Sequence, residues 1–203
     1  PDNVKAAREL EDVRVDQVCV GSCTTSSLYD LLKTAAMLKG RTVAPSVSMS
    51  VSPGSRQVLT MLAENGALAD MVKAGARILE SACGPCIGMG QAPATDAVSL
   101  RTFNRNFHGR SGTASANIYL VSPEVAAASA LAGMLIDPTT LGDAPNVEQP
   151  SSFVVNDNMV VPPAEHGEDV QVVRGPNIKP FPVNKELAKD LSGKILIKLG
   201  DNI

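Results

Sequence analysis

The chain has 203 residues, enough for one sizeable domain with an appendage. Its composition, 44% hydrophobic and 19% charged, is typical of a globular protein, and its net charge of -3 gives no electrostatic reason to bind nucleic acid or an anionic membrane. Aromatic residues make up only 3% of the chain, so a base-stacking surface is not expected either. No apolar run approaches the ~20 residues that a membrane span needs.

Strand and helix patterns alternate along the first two thirds of the chain. Alternating, β-branched stretches predict strands at residues 15–21, 42–51, 76–80, 98–103 and 118–121. Apolar residues at helical spacing predict helices at residues 28–38, 56–64, 67–73 and 123–132. This order predicts an α/β three-layer sandwich with a largely parallel sheet. Ligands of such sheets gather at the carboxyl ends of the strands.

Over residues 137–192, prolines and glycines interrupt every periodic pattern. We therefore expect residues 1–136 to form the α/β domain and residues 137–192 to form an irregular linker. Residues 193–199 alternate again and predict a strand, so residues 193–203 are expected to open a further, truncated domain. The chain starts with proline and stops where this strand has formed, so we expect it to be a piece of a longer protein. Whether that longer protein carries a targeting segment stays an open question.

Three of the four cysteines lie in glycine-flanked loops. Cys83 and Cys86 form a C-x-x-C motif around Gly-Pro, a small rigid insert that lets two thiolates point to one side. Zinc binding, an iron–sulfur cluster and dithiol redox chemistry all fit this motif, as does a purely structural role. Cys23 comes just before a predicted helix, where free amide groups favour a thiolate. Cys19 lies within a predicted strand and is expected to be a small buried residue.

The number of ligands bears on the choice of metal. A structural zinc site normally has four protein ligands, whereas this chain offers three well-placed cysteines. The two histidines could supply a fourth, but His166 lies in the predicted linker and His108 in a polar loop, where solvated or packing roles are expected. Three cysteines suit a [4Fe–4S] cluster that leaves one iron open to a hydroxyl and a carboxylate.

A polar loop follows the predicted strand at residues 98–103. It carries Asn104, Arg105 and Arg110. Arginine binds carboxylates through two parallel hydrogen bonds, and asparagine can bind a hydroxyl or a carboxylate. Taken alone, the loop also fits a solvated surface.

Five segments resemble, in order, the third α/β domain of the aconitase superfamily, which includes aconitase, homoaconitase and the large subunit of isopropylmalate isomerase. They are residues 21–27 (GSCTTSS), 52–55 (SPGS), 82–88 (ACGPCIG), 104–110 (NRNFHGR) and 120–126 (LVSPEVA). The resemblance covers residues 13–137 densely. The tail is similar to the linker and first strand of the family's swivelling domain.

The resemblance implies a [4Fe–4S] cluster and a bound carboxylate substrate. The implied cluster ligands are Cys23, Cys83 and Cys86. The implied carboxylate-binding residues are Asn104, Arg105 and Arg110. The family's catalytic acid–base residues are expected outside this chain, so we expect no catalytic residue within it, no activity of the isolated chain, and a cluster that can be absent from it.

The resemblance also implies the reaction, a reversible dehydration and rehydration of a hydroxy acid. Because the tail looks like a fused swivelling domain, the first expectation is an aconitate hydratase that isomerises citrate in the tricarboxylic acid cycle. A hydro-lyase of the homoaconitase or isopropylmalate isomerase type is the alternative, and a zinc-binding or thiol-redox module is the alternative of another class. The expected partners are a tricarboxylic or dicarboxylic hydroxy acid and the remaining domains of the parent chain, without nucleic acid or membrane. The expected location is the cytoplasm, or the mitochondrial matrix in a eukaryote.

Overall fold

The computed structural model describes residues 3–201. Its contacts divide the chain into a first unit that ends at Asn158 and a second that begins at Met159. Every α-helix and sheet strand of the described residues lies in the first unit. None of these helices has the length and apolar character that crossing a membrane requires.

The first unit is built on a five-stranded sheet in which every pairing is parallel. The strands are β1 (Gln17–Val20), β2 (Ser48–Val51), β3 (Arg77–Ile78), β4 (Val98–Arg101) and β5 (Asn117–Leu120). Their order across the sheet is β3-β2-β1-β4-β5, so the strand order reverses between β1 and β4. The predicted α/β class with a parallel sheet is confirmed.

Four α-helices connect and cover the strands: α1 (Leu28–Leu38), α2 (Arg56–Glu64), α3 (Ala67–Ala74) and α4 (Pro123–Ala132). Three of them begin at a serine whose hydroxyl accepts a backbone N–H three residues further on; these serines are Ser27, Ser55 and Ser122. Gly75 and Gly133 end α3 and α4 in the left-handed conformation. Helix α1 packs against the other three helices.

The two faces of the sheet differ in chemistry. Strand residues alternate between the faces, and one set joins the apolar core shared with the helices: Val18, Val20, Met49, Val51 and Leu100. The opposite set is buried but largely polar: Gln17, Cys19, Ser50, Ser99 and Arg101. The segment after β3 covers this polar face, because its residues Pro85 and Gln91 accept hydrogen bonds from Arg101.

Several predicted strands are longer than the observed strands, and the strand predicted at residues 42–51 exceeds its observed strand the most. Within residues 42–51 only Ser48–Val51 joins the sheet. Val43 and Ala44 instead donate their backbone N–H groups to the carbonyl oxygens of Ala74 and Ala130 in α3 and α4. The β-branched side chain of Val43 is buried in the core, and this burial does not require a strand backbone.

The strand predicted at residues 193–199 is not formed. Every residue from Met159 to Asp201 is exposed, and the regular structure within this range is one 3-10 turn, Gly167–Asp169. A β-strand needs a neighbour for its backbone N–H and C=O groups, and alternation of side chains alone does not supply one. The proposed division at residues 136/137 and 192/193 stays a prediction.

Candidate cluster and carboxylate site

Two loops leave the carboxyl ends of β1 and β4, on either side of the point where the strand order reverses. This crevice is the usual ligand site of open α/β sheets. The Gly21 N–H donates to the Thr102 hydroxyl at 2.8 Å, and the Thr24 hydroxyl donates to Asn104 Oδ1 at 3.2 Å. These bonds tie the loop that carries Cys23 to the loop that carries Asn104.

The Cys23 loop has a constrained backbone. Gly21 has a φ of +74°, and a Cβ there would lie 2.4 Å from the Ser52 carbonyl oxygen, so no other residue fits without movement. Thr25 also has a positive φ, 52°, and its hydroxyl donates to the Thr102 carbonyl at 2.7 Å. Cys23 lies between these two anchored positions and is exposed.

The C-x-x-C loop lies against the loop after β4. Cys83 is exposed, whereas Cys86 is buried within the 3-10 turn Pro85–Ile87. Gly88, directly after this turn, has a φ of +77°, and a Cβ there would lie only 2.0 Å from the Ser111 carbonyl oxygen. A glycine at this position lets the two loops touch through their backbones.

The structure brings the three predicted cluster cysteines and one predicted arginine into one neighbourhood. Arg110 Nη2 donates to Cys86 Sγ at 3.6 Å, and the Cys86 thiol lies 4.0 Å from the Arg105 carbonyl oxygen. Desolvation raises the pKa of the Cys83 thiol, the neighbouring thiols of Cys86 and Cys23 raise it further, and Arg110 lowers it. Cys86 and Cys23 therefore both lie near Cys83. Their role as ligands stays a prediction.

The other predicted residues lie as follows. Asn104 and Arg105 are exposed in the loop after β4, and Asn104 contacts Thr24. His108 is exposed in the same loop. His166 is exposed in the second unit, where its Nδ1 lies 3.4 Å from a Glu168 carboxylate oxygen. Cys19 is buried, as predicted, and packs against Cys86 and Phe103.

Sequence reasoning missed Arg101, the last residue of β4. It is fully buried on the polar face of the sheet. Its Nη1 donates to the Pro85 carbonyl at 2.6 Å, its Nη2 to the Gln91 carbonyl at 2.8 Å and to Gln17 Oε1 at 2.9 Å, and its Nε to the Ser99 hydroxyl at 2.9 Å. Burial lowers the pKa of this guanidinium. The signal in the sequence was a single charged residue within the predicted strand at residues 98–103.

Several buried polar atoms of these loops have no hydrogen-bond partner among the described residues. Within residues 3–201 they include Ser22 Oγ, Ser81 Oγ, Arg110 Nε and Ser111 Oγ. Buried polar groups are normally hydrogen-bonded, so such atoms mark places where a further group can bind. Together with three thiols, these donors fit a sulfur-rich, anionic group such as a [4Fe–4S] cluster with a carboxylate beside it.

A single metal ion has less support. In the described part of the chain, no three His, Cys, Asp or Glu side chains converge tightly enough to hold one ion. Thiolates that bind different irons of a cluster are spaced more widely than thiolates on one ion. The zinc alternative therefore gains no support from the geometry.

Comparison with known proteins gives the family. A sequence model of the aconitase family (aconitate hydratase) matches residues 2–133. The chain belongs to the aconitase family. Of its curated relatives, the homoaconitase large subunit of Thermus thermophilus is 48% identical over 142 residues, which are 69% of this chain and 34% of that protein.

Two further relatives in this family carry another name. The probable 3-isopropylmalate dehydratase large subunit of Methanothermobacter thermautotrophicus is 46% identical over 142 residues, 69% of this chain and 34% of that protein. The 3-isopropylmalate dehydratase large subunit 2 of Archaeoglobus fulgidus is 44% identical over 138 residues, 68% of this chain and 33% of that protein. The chain thus spans about a third of the length of the curated relatives it matches.

These names bear on two expectations. The resemblance to the aconitase superfamily is confirmed. The relatives match the homoaconitase or isopropylmalate alternative better than the expected citrate-isomerising enzyme, and they do not support a place in the tricarboxylic acid cycle.

Proposed function

We propose that this chain is the cluster-binding part of an iron–sulfur hydro-lyase of the homoaconitase or 3-isopropylmalate dehydratase type. The observation that carries the proposal is the contact between Arg110 and Cys86, 3.6 Å from Nη2 to Sγ. The contact supports the proposal because a guanidinium, a group well suited to bind carboxylates, lies beside a thiol of the C-x-x-C motif. The names of the relatives support the reaction class.

The proposed roles follow from the arrangement. Cys23, Cys83 and Cys86 would hold a [4Fe–4S] cluster, whose open iron supplies Lewis-acid chemistry at a substrate hydroxyl. Arg110 is half-buried, and a guanidinium that stays partly open to solvent can bind a carboxylate. Arg105 is exposed five residues earlier in the same loop and is proposed to bind a second carboxylate.

The substrate is proposed to be a hydroxy acid with two or three carboxylates. Two arginines in one loop suit such a substrate, because each guanidinium can bind one carboxylate through two hydrogen bonds. The relatives are named large subunits, so we propose that a smaller subunit and other parts of the protein complete the site and supply the acid and the base. The isolated chain is then inactive. We propose a cytoplasmic location for the whole enzyme.

Anaerobic reconstitution of the complete protein with iron and sulfide tests this proposal. We expect iron and sulfide in cluster stoichiometry, lost in Cys86→Ser and retained in Cys19→Ala. Cys19 is the matched control because it is the other buried cysteine, lies next to Cys86 and is not a proposed ligand. Zinc without sulfide, or the same iron content in Cys86→Ser as in the wild type, would contradict the proposal.

Activity assays test the substrate class. The reconstituted protein should hydrate homoaconitate or convert 3-isopropylmalate faster than it hydrates cis-aconitate. The variant Arg110→Lys should raise KM, because an ammonium group keeps the charge but loses the bidentate fork. A clear preference for cis-aconitate would favour the citrate-isomerising enzyme instead.

A further inference from the structure

Arg101 carries a buried charge that no carboxylate balances within residues 3–201. Its side chain is fully buried, and none of the ion pairs in this part of the chain includes it. Burying an ionised group is costly unless it is both hydrogen-bonded and paired with an opposite charge. Arg101 meets the first condition and lacks the second.

The hydrogen bonds of Arg101 all go to neutral oxygens. Two acceptors are the backbone carbonyls of Pro85 and Gln91, and two are the side chains of Gln17 and Ser99. They satisfy the N–H groups and fix the guanidinium, but they leave its charge uncompensated. The Phe103 ring, 5.5 Å from the guanidinium carbon, attracts the cation through its quadrupole but carries no opposite charge.

Among residues 3–201, the ionisable groups whose charge acts on Arg101 are the thiols of Cys19, its register partner in β1, and Cys86. Arg101 bonds to the carbonyl of Pro85, the residue directly before Cys86, so it holds this turn from the side of the sheet. Arg110 approaches the Cys86 sulfur from the loop after β4. A cysteine that binds metal does so as a thiolate, so cluster binding would place negative charge at Cys86.

We propose that Arg101 is a positioning residue that fixes the Cys86 turn against the sheet and balances the charge of the bound cluster. This inference rests on the proposed function, since it requires that Cys86 ligates a cluster. A fixed positive charge in a low-dielectric surrounding stabilises the reduced, more negative form of a nearby redox group. Arg101 should therefore raise the reduction potential of the cluster, an effect that a purely structural side chain would not have.

The test measures the cluster's reduction potential in the complete protein. Wild type, Arg101→Met, Arg101→Lys and Arg41→Met are reconstituted anaerobically and titrated with a reductant and redox mediators. Arg101→Met removes the charge and keeps a long side chain, whereas Arg101→Lys keeps the charge. Arg41→Met is the matched control, because Arg41 is exposed and follows α1 at the opposite end of the sheet.

We expect Arg101→Met to disfavour reduction about tenfold, which for one electron is about 59 mV toward more negative potential. Arg101→Lys should stay much closer to the wild type, and Arg41→Met should not differ from it. If Arg101→Met does not fold, Arg101→Gln takes its place, because its amide still donates a hydrogen bond.

Three results would overturn the inference while leaving the proposed function intact. They are an unchanged potential in Arg101→Met, an equal shift in Arg101→Lys, and an equal shift in Arg41→Met. A wild-type protein that binds no iron and sulfide would overturn the proposed function, and this inference with it.

Discussion

Gly88 offers a sharp test of how the two site loops meet. In Gly88→Ala the new methyl group would lie 2.0 Å from the Ser111 carbonyl oxygen and 2.7 Å from its carbon. These are backbone atoms and cannot rotate away, so the whole segment at Ser111 must shift. Arg110 precedes Ser111 and contacts Cys86, so we expect the shift to reach the Arg110–Cys86 contact.

The size of the effect has two parts. An alanine at a φ of +77° costs about 1–2 kcal/mol in backbone strain. Forcing a methyl group into close-packed backbone typically costs a further ~1–3 kcal/mol. We therefore expect Gly88→Ala to lower the free energy of unfolding by about 2–5 kcal/mol.

Gly90 provides the matched control for this prediction. Its φ is +66°, but no atom of residues 3–201 lies within 4 Å of the position that an added methyl group would take, so Gly90→Ala carries the strain without the collision. Urea unfolding of both variants should show Gly88→Ala to be less stable by about 1–3 kcal/mol. Equal unfolding free energies for the two variants would refute the close approach of the loops.

Three further predictions concern stability. Thr102→Val removes the hydroxyl that accepts the buried Gly21 N–H and should cost about 1–3 kcal/mol in urea unfolding, whereas an unchanged midpoint would argue against this link between the loops. Ser122→Ala removes the N-cap of α4 and should lower the free energy of unfolding by about 1 kcal/mol. A decrease of less than a few tenths of a kcal/mol would show that the cap contributes little. Burial raises the pKa of Glu124, but hydrogen bonds, that from Lys33 first, outweigh it and leave the pKa below its usual 4.5. The ionised Glu124 carboxylate therefore stabilises the fold above pH 4.5, and this stabilisation is lost as the pH falls through the lower folded-state pKa. Glu124→Gln should lower the free energy of unfolding by about 0.5 kcal/mol at pH 7 and leave it unchanged in strong acid. A difference in unfolding free energy that does not depend on pH would contradict this.

Local signals in the sequence predicted most of the fold. The helix bounds follow from serine caps and terminal glycines such as Ser122 and Gly133, because those residues satisfy helix ends by contacts within a few positions. The alternation of strand and helix patterns along the chain was sufficient to predict a parallel sheet. The same signals failed at residues 42–47 and 193–199, because a strand depends on a partner that alternation does not supply.

In the candidate site, too, some features follow from the sequence and others only from the tertiary structure. The identities of the cysteines and arginines, and their five motifs, are properties of the sequence alone. Only the tertiary structure decided that Thr24 bonds to Asn104, 80 positions away, and that the Cys86 turn rests on the buried guanidinium of Arg101. Contacts between loops that follow different strands depend on the order of the strands in the sheet, and no local pattern encodes that order.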